Sequence, residues 1–263
     1  MPHAVMTELQ HRFILGTRVD ATSYADATAR IVNWAQAGDS RYVCVCGVHG
    51  VMEGHDTADF QKVSNTADLV TPDGMPLVWA LRQLGIKGQN RVYGPDLTLN
   101  VLRAAEEAGI AVGLYGGTEE VLRALQKTYR EQFPRLQIVY AYSPPFRPLT
   151  HDEDEAAVQA INTSGARILL VGLGCPKQEY WVAAHRDRVR AVMVAVGAAF
   201  DFHAGRVRQA PLWMRRSGLE WLFRLLMDPR RLWRRYFRNN PRFMWLMARQ
   251  LFGGAHGRRA VGN

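Results

Sequence analysis

The 263-residue sequence has few cysteines and no long apolar run. Cys44 and Cys46 lie two residues apart in an apolar stretch, and Cys175 stands alone. This spacing suits neither a disulfide framework nor a zinc site. No stretch of about 18 apolar residues occurs, which argues against a membrane-spanning helix, and the first residues lack the apolar core of a signal peptide. We therefore expect a reduced, cytosolic protein that can touch a surface.

Acidic residues are nearly absent from the last part of the chain. Residues 205–263 contain 14 arginines, no lysine and only two acids, Glu220 and Asp228, a net charge of +12. Residues 1–204 carry 19 basic and 22 acidic side chains, a net charge of −3. A basic segment on a slightly acidic body indicates an anionic partner, such as nucleic acid, phospholipid or a phosphorylated substrate.

This change of composition predicts two parts. Residues 1–204 form an α/β body, in which a division into two lobes, 1–108 and 109–204, is left open. Residues 205–263 form a basic helical appendage. In the body, apolar runs such as 41–46, 109–117 and 166–174 are each followed by a helical pattern. The order strand, helix, strand predicts a parallel α/β sheet.

The appendage contains a basic amphipathic helix with an aromatic face. At about 100° per residue, one side carries the arginines Arg230, Arg231, Arg234, Arg235 and Arg238. The opposite side carries Leu232, Trp233, Tyr236 and Phe237. The plain alternative is that the aromatic face packs on the body and the arginines are solvated. The scarcity of acids in the appendage speaks against this alternative, because the arginines have few partners of opposite charge.

Asp73 follows a predicted strand, in the sequence TPDGMP. A carboxylate at the end of a strand, at the mouth of a parallel sheet, is well placed to act as a general base. Pro-Asp-Gly is also ordinary turn chemistry. From this segment alone, the turn is the favoured interpretation.

Glycine-containing turns follow two other predicted strands. Gly116 and Gly117 precede a helix whose N-terminal N–H groups can attract phosphate, a weak signal because such turns are common in α/β folds. The sequence GLGCPK, at residues 172–177, does not complete the pattern GxGxxG, so a nicotinamide oxidoreductase is poorly supported. In the helix that follows, Lys177 and Gln178 can bind a phosphate and a sugar or base edge. Glu179 is either a base or a favourable first-turn acid.

Asp201 lies between two phenylalanines, just after the last predicted strand of the body. A buried aspartate in such a place needs hydrogen-bond partners or a positive group. No cluster of His and Asp side chains has metal-ligand spacing, so the sequence predicts no metal site and no cofactor.

Taken together, these segments resemble the WecG/TagA/CpsF glycosyltransferases. The resemblance covers roughly residues 41–236 and rests on six segments in order: LVTPDG, RVYGPDL, GLYGG, VGLGCPKQEYW, VGAAFDFHAGRVRQAP and GLEWLFRLLMDPRRLWRRY. It implies a Rossmann-like α/β fold with a helical C-terminal appendage. It also implies metal-independent, inverting transfer of an N-acetylmannosamine-type or other hexose from a nucleotide diphosphate, UDP above all, to a polyprenyl-diphosphate-linked sugar in bacterial cell-surface polysaccharide synthesis.

The resemblance also implies roles for individual residues. Asp73 matches the proposed base, which takes the proton from the acceptor hydroxyl, and Arg91 matches a position that faces the diphosphate. The remaining matches are Gly116 and Gly117 in the nucleotide loop, Gln178 and Glu179 in the donor-binding motif, and Asp201 in Phe-Asp-Phe. Without a metal, the leaving diphosphate must be stabilised by Arg, Lys and helix N-termini.

The chain departs from the family pattern after its first predicted strand of the sheet. Many members carry Thr-x-Asn there, whereas this chain has Val45 and Gly47, with His49 available two residues later. The family's Arg-Ala-Pro reads Gln209-Ala210-Pro211. These changes leave the identity of the sugar open.

The leading expectation is a glycosyltransferase that is peripheral on the inner face of the cell membrane, with the arginines directed to anionic lipid or to the acceptor diphosphate. A nucleic-acid-binding protein is one alternative, because arginines and aromatics suit phosphate contact and base stacking. The acidic body without a recognisable nucleic-acid module argues against it. An inactive scaffold in a polysaccharide assembly complex is another alternative, against which Asp73, Arg91 and Gln178 speak. A homo-oligomer is left open.

Overall fold

The computed structural model describes residues 8–257, and the side chains of residues 8–253. Within this range the strands are β1 (His11–Ile14), β2 (Thr17–Asp20), β3 (Arg41–Cys46), β4 (Leu69–Pro72), β5 (Val112–Gly116), β6 (Ile138–Tyr142), β7 (Ile168–Gly172) and β8 (Val192–Ala195). The helices are α1 (Tyr24–Ala37), α2 (Val48–Asp56), α3 (Ala58–Asn65), α4 (Met75–Gln83), α5 (Gly94–Ala108), α6 (Glu119–Gln132), α7 (His151–Ser164), α8 (Lys177–Ala184), α9 (Ala199–His203), α10 (Leu212–Arg216), α11 (Glu220–Met227) and α12 (Pro229–Gly257). The ends of the predicted body and appendage, 1–7 and 258–263, lie outside the described residues.

The predicted parallel α/β sheet is confirmed. Six strands form it in the order β4-β3-β8-β7-β5-β6, and every neighbouring pair is parallel. Successive residues of a strand point to opposite faces, and Val43 and Cys44 of β3 belong to two different apolar clusters. Helices therefore cover both faces, as expected for a parallel sheet. Because all six strands run the same way, their carboxyl ends meet at one edge.

Two local features differ from what the sequence predicts. The antiparallel hairpin of β1 and β2 precedes the sheet and was not predicted. Its turn places Leu15 and Gly16 at φ 51° and 88°, the left-handed region that glycine tolerates best. The helical pattern that follows residues 41–46 forms two helices, α2 and α3, instead of one, because Thr57 between them has extended backbone angles.

The appendage packs along the body through its long last helix. α12 continues through Pro241, although proline lacks the N–H that the helical hydrogen bond requires. Phe243 and Met247 are buried in the apolar cluster that includes residues of α2. Towards its end, Gln250 accepts a hydrogen bond from the Leu15 N–H at 2.8 Å and donates one to the Phe13 carbonyl at 2.7 Å. The hairpin thus holds the distal part of the appendage.

The body does not cover the whole aromatic face that the sequence predicts for α12. Leu232 is buried, whereas Trp233 and Phe237 are 48% and 67% exposed. The sequence left open the alternative that the aromatic face packs on the body and that only the arginines are solvated. The exposure of these two rings does not agree with that alternative. Two large aromatic side chains remain on the surface beside arginines.

Candidate active site

A large cleft of about 1280 Å³ lies at the carboxyl ends of the strands and is covered on one side by the appendage. Most residues singled out in the sequence line it: His49, Asp73, Arg91, Gly117, Lys177, Gln178, Glu179, Asp201, Arg231 and Arg235. Those not among its lining residues are Gly116, Arg230, Arg234 and Arg238. The five predicted arginines of α12 therefore divide into two groups, of which one faces the cleft.

Asp73 occupies the floor of the cleft, directly after β4. Its backbone N–H donates to the Cys46 carbonyl at 2.8 Å, which joins the ends of β4 and β3. Its side-chain Oδ1 accepts from Nη2 of Arg91 at 3.1 Å and from the Gly94 N–H at 3.4 Å. The carboxylate is enclosed by protein but open to the cavity, with its side chain 28% exposed. It is therefore accessible to a substrate hydroxyl.

The surroundings of Asp73 favour the proton-accepting role that is predicted for it. Burial raises the pKa of the Asp73 carboxyl, the positive charge of Arg91 opposes this, and the negative charge of Glu220 adds to it. The net direction is upward. A carboxylate with a raised pKa is a stronger base than one in water, as general-base catalysis requires.

Arg91 is held by two carboxylates and by backbone. Its Nε donates to the carbonyl of Asp73, and its Nη1 forms an ion pair with Oε2 of Glu220 at 2.7 Å. Its guanidinium lies 4.2 Å from the ring centroid of Tyr93. Although burial opposes the charge, the two carboxylates raise the pKa of Arg91. Arg91 thus orients Asp73. To contact a diphosphate as well, as predicted, the guanidinium would have to divide its N–H groups between the diphosphate and the two carboxylates.

Sequence reasoning did not assign a role to Glu220. In the sequence, Glu220 lies inside GLEWLFRL and is recognisable only as one of two acids in a basic segment. Its buried position against Arg91 depends on the path of the appendage, which no local pattern shows. The sequence feature that could have indicated this role is the isolated acid itself, because a single carboxylate among arginines indicates a specific partner.

The glycines after β5 and β7 permit close approach of two strand ends. A Cβ on Gly116, at φ 110°, would lie 2.7 Å from the backbone of Gly172, closer than a carbon can come. The Gly117 N–H donates to the Gly172 carbonyl at 3.2 Å. Thr118 then caps the N-terminus of α6, and its side chain accepts from the Val121 N–H. The two glycines thus shape the loop wall, and Gly117 reaches the cleft.

Gln178 and Glu179 lie at the start of α8 and are both buried. Oε1 of Gln178 accepts from the Gly174 N–H at 3.1 Å, and its Nε2 donates to Oε1 of Glu179 at 2.9 Å. Burial raises the pKa of Glu179, while the hydrogen bond from Gln178 opposes this. Oε2 of Glu179 has no hydrogen-bond partner among the described residues. Glu179 is therefore not an exposed first-turn acid, whereas neighbouring Lys177 is exposed.

Asp201 lies on α9, lines the cleft and is only partly buried. No side-chain hydrogen bond or ion pair of Asp201 occurs within residues 8–257, so the partners expected for a buried aspartate are absent there. His203, on the same helix, contacts the Tyr129 hydroxyl through Nδ1 at 2.7 Å. Burial lowers the pKa of His203 to about 4. The neutral ring fixes the short helix on α6.

His49 and Arg235 face each other across the junction of body and appendage. Burial, together with the charge of Arg235, lowers the pKa of His49 to about 4. His49 is therefore neutral at physiological pH and can offer hydrogen bonds but no charge. Its Nδ1 lies 3.4 Å from Nδ2 of Asn239. Nε of Arg235 is buried without a hydrogen-bond partner among the described residues, and the side chain lines the cleft, where its charge can act on an anionic ligand.

Two of the three departures from the family pattern lie at the cleft, whereas Gln209 is not among its lining residues. Val45 and Gly47 both line it, and Gly47 begins α2 without a side-chain cap. Cγ1 of Val45 lies 3.0 Å from the place that a Cβ on Gly94 would take. Apolar and small groups thus replace two polar side chains at the wall near Asp73.

An aromatic stack and a proline-rich loop line the cleft and were not singled out as site residues. Trp181 stacks on Tyr115, with ring centroids 4.3 Å apart, and on His185, with centroids 4.0 Å apart. The loop of residues 144–150 completes this wall, and Phe146 in it is 87% exposed. Because stacked rings and exposed phenylalanine suit a flat apolar partner, this wall can take a base or an apolar ligand face.

One Asp-x-Asp triplet bears on the expectation of no metal site. Its two carboxylates are Asp152 and Asp154, in the first turn of α7. Asp154 contacts Nε2 of His185 at 2.9 Å and accepts from Nη2 of Arg188 at 2.8 Å, whereas Asp152 is exposed. In the part of the chain that the structure describes, no three His, Cys, Asp or Glu side chains could together hold a metal ion.

We expect transferase activity to persist in excess EDTA. The cleft offers Lys177 and Arg235 as positive charges for a leaving diphosphate, which is the role that a metal ion fills elsewhere. The initial rate, measured by release of nucleotide diphosphate with and without chelator, checks this. Complete loss of the rate, restored by magnesium or manganese, would contradict it and would point to Asp152 and Asp154.

The fold and the cleft define an α/β protein that binds its ligand at the carboxyl edge of a parallel sheet, the usual ligand position in such sheets. The chain belongs to the glycosyl transferase WecG/TagA/CpsF family, whose model matches residues 12–257. This confirms the family inferred from the motifs and the glycosyltransferase class that the family defines.

A curated relative from Bacillus spizizenii is 33% identical over 177 residues. The match covers 67% of this chain and 66% of the relative. That protein is named N-acetylglucosaminyldiphosphoundecaprenol N-acetyl-beta-D-mannosaminyltransferase. Among residues 8–257, no helix combines the length and the apolar character needed to cross a bilayer.

Proposed function

We propose that this chain transfers a sugar from a nucleotide diphosphate to a hydroxyl of a polyprenyl-diphosphate-linked sugar, with inversion at the anomeric carbon. The observation that carries the proposal is Asp73, a carboxylate with a raised pKa that is open to a large cleft at the carboxyl edge of the sheet. The family and the name of the relative support the same chemistry. An N-acetylmannosamine-type donor and an undecaprenyl-diphosphate acceptor are the first substrates to test.

In this reaction Asp73 takes the proton of the acceptor hydroxyl as the oxygen attacks the anomeric carbon. The bond from that carbon to the diphosphate oxygen breaks, and its electron pair leaves with the nucleotide diphosphate. Arg91 keeps the Asp73 carboxylate oriented towards the cavity. Lys177 and Arg235 stabilise the negative charge that develops on the leaving group.

The cleft is large enough for both substrates. Its volume of about 1280 Å³ exceeds the roughly 300–1,000 Å³ of ordinary small-molecule sites. The strand-end loops and α8 form one wall, where the predicted donor-binding residues Gln178 and Glu179 lie. The appendage forms the opposite wall, where Arg231 and Arg235 lie. We assign the nucleotide and the sugar of the donor to the first wall and the acceptor diphosphate to Arg231 of the second wall, with Arg235 directed to the leaving diphosphate between the two walls.

A substrate screen tests the proposal. The intact protein is incubated with a panel of nucleotide sugars, including UDP-N-acetylmannosamine, and a short water-soluble polyprenyl-diphosphate-N-acetylglucosamine analogue. We expect one donor to release nucleotide diphosphate only when the acceptor is present, with a disaccharide product detected by mass spectrometry. Release that is independent of the acceptor would indicate hydrolysis, and no reaction with any donor across the panel would favour the inactive-scaffold alternative.

The membrane role of the appendage is part of this proposal. A lipid-linked acceptor requires the active site to lie near the inner leaflet, and the appendage exposes aromatic side chains beside arginines. Aromatic rings and basic side chains are the combination that peripheral anchors use at an anionic surface. The appendage is thus the part of the chain that we expect to meet the membrane.

A further inference from the structure

Glu220 is a nearly buried carboxylate in the most basic segment of the chain. It is the first residue of α11 and is only 8% exposed. Its Oε2 lies 2.7 Å from Nη1 of Arg91. The other acid of the appendage, Asp228, pairs with Arg231 at the surface instead. Two acids of the same segment thus have different environments, and only one of them reaches the floor of the cleft.

Arg91 is shared between the appendage and the predicted base. Its Nη2 contacts Oδ1 of Asp73 at 3.1 Å, and its Nε donates to the Asp73 carbonyl. Its Nη1 lies 2.7 Å from Oε2 of Glu220 and donates to the Arg215 carbonyl at 3.5 Å. A guanidinium with three engaged nitrogens cannot rotate without breaking several bonds, so Glu220 and Arg215 fix it relative to Asp73.

The charges in this cluster do not cancel. One cation lies between two carboxylates, which leaves an excess of one negative charge when both are ionised. Arg91 alone would favour the ionised form of Asp73 and make it a weak proton acceptor. The negative charge of Glu220 acts in the opposite direction, since a like charge nearby disfavours ionisation.

We propose that Glu220 is a positioning residue for the transfer reaction: it holds Arg91 in place beside Asp73 and offsets the positive charge that Arg91 presents to that carboxylate. The appendage then contributes to the acid–base chemistry of the site, in addition to any contact with lipid or diphosphate. This inference rests on the proposed role of Asp73 as the base.

Other titratable side chains lie near Asp73. The charges of Tyr24, Tyr93 and Cys46 interact with that of Asp73, and the neighbouring cation Arg215 lies over Tyr93 and is paired with Asp96 at 3.4 Å. Burial raises the pKa of both tyrosines and of Cys46, to about 12 for Tyr24. All three are therefore uncharged in the range where a carboxylate titrates. A change in the titration of Asp73 on substitution of Glu220 is thus attributable to Glu220 and Arg91.

The test compares the pH dependence of kcat/KM for the wild type and Glu220→Gln, with the best donor of the substrate screen. The amide keeps the size of the side chain but removes its charge. The rate falls on the acid side as Asp73 becomes protonated. We therefore expect this acid limb to move to lower pH by about one unit, the low end of the effect of a nearby charge, and turnover at neutral pH to fall roughly tenfold because the base is weaker.

Two variants serve as controls. Glu220→Asp keeps the charge with a shorter reach and should retain the wild-type acid limb even if turnover falls. Asp228→Asn removes the other acid of the appendage and should leave the acid limb unmoved, whereas its turnover is not used as a control because Asp228 pairs with Arg231. If Glu220→Gln does not fold, as judged by its melting temperature, Glu220→Met provides a second uncharged side chain of similar size for the same measurement.

The outcomes separate this inference from the proposed function. A neutral variant with reduced turnover but an unmoved acid limb would show a purely structural role and would overturn the inference. An upward movement of the limb would also overturn it, because it would reverse the sign of the charge effect. Near-normal turnover of Asp73→Asn would instead overturn the role of Asp73, on which the inference depends.

Discussion

Replacement of Asp73 by asparagine is expected to slow the chemical step by roughly 10²–10⁴-fold, the usual scale for loss of a general base. The amide has nearly the same shape and can still accept hydrogen bonds from Arg91 and from the Gly94 N–H through its oxygen. It cannot take a proton from the acceptor hydroxyl. The fold and the donor site should therefore remain while turnover is lost.

Single-turnover kinetics with the soluble acceptor analogue measure this effect directly. Binding of the nucleotide diphosphate and the melting temperature should stay close to those of the wild type. Asp152→Asn is the matched control, because Asp152 is exposed on α7 and should tolerate the same chemical change. Near-normal single-turnover rates for Asp73→Asn would rule out Asp73 as the base.

Replacement of Trp233 and Phe237 by serine is expected to abolish binding to anionic vesicles at physiological salt. The two rings are 48% and 67% exposed, and they lie on the helix that carries Arg230, Arg234 and Arg238. Each basic residue near an anionic surface contributes about 1 kcal/mol, so three arginines alone give weak attraction. The inserted rings supply the apolar part of the binding free energy.

The arginines that line the cleft should behave differently. Arg231→Gln combined with Arg235→Gln should retain vesicle binding but lower turnover on the soluble acceptor by roughly 10²-fold, the scale for loss of a group that stabilises developing charge. Arg235 lines the cleft, where its positive charge can act on a diphosphate. The aromatic variant should show the opposite result, with normal turnover on the soluble acceptor.

Sedimentation with phosphatidylglycerol-containing vesicles, compared with phosphatidylcholine vesicles, measures the docking. Vesicle binding that survives in the aromatic variant would contradict a docking role for these rings. Unchanged turnover in the double arginine variant would contradict the role of Arg231 and Arg235 in the cleft. A parallel experiment measures the electrophoretic shift of random DNA by the protein at the same salt concentration. Tight DNA binding with no lipid binding would favour the nucleic-acid alternative.

The sequence anticipated the body of this protein well because its signals are local. Apolar runs and helical periodicity depend on neighbouring residues, and they predicted β3, β5 and β7 of the sheet. The turn at Asp73 and the paired glycines are similarly short patterns. Where a local signal was weak, the prediction failed: the hairpin of β1 and β2 was missed, and the break at Thr57 was not seen.

The sequence by itself determined the family, the parallel α/β sheet and the strong charge of the appendage, since motifs, periodicity and composition are contained in the chain order. Only the tertiary structure decided which arginines face the cleft, and that Arg91 lies between Asp73 and Glu220. Arg91 and Arg215 are 124 residues apart yet share a hydrogen bond. Such contacts arise from how the appendage packs on the body, which depends on the shape and burial of the whole fold.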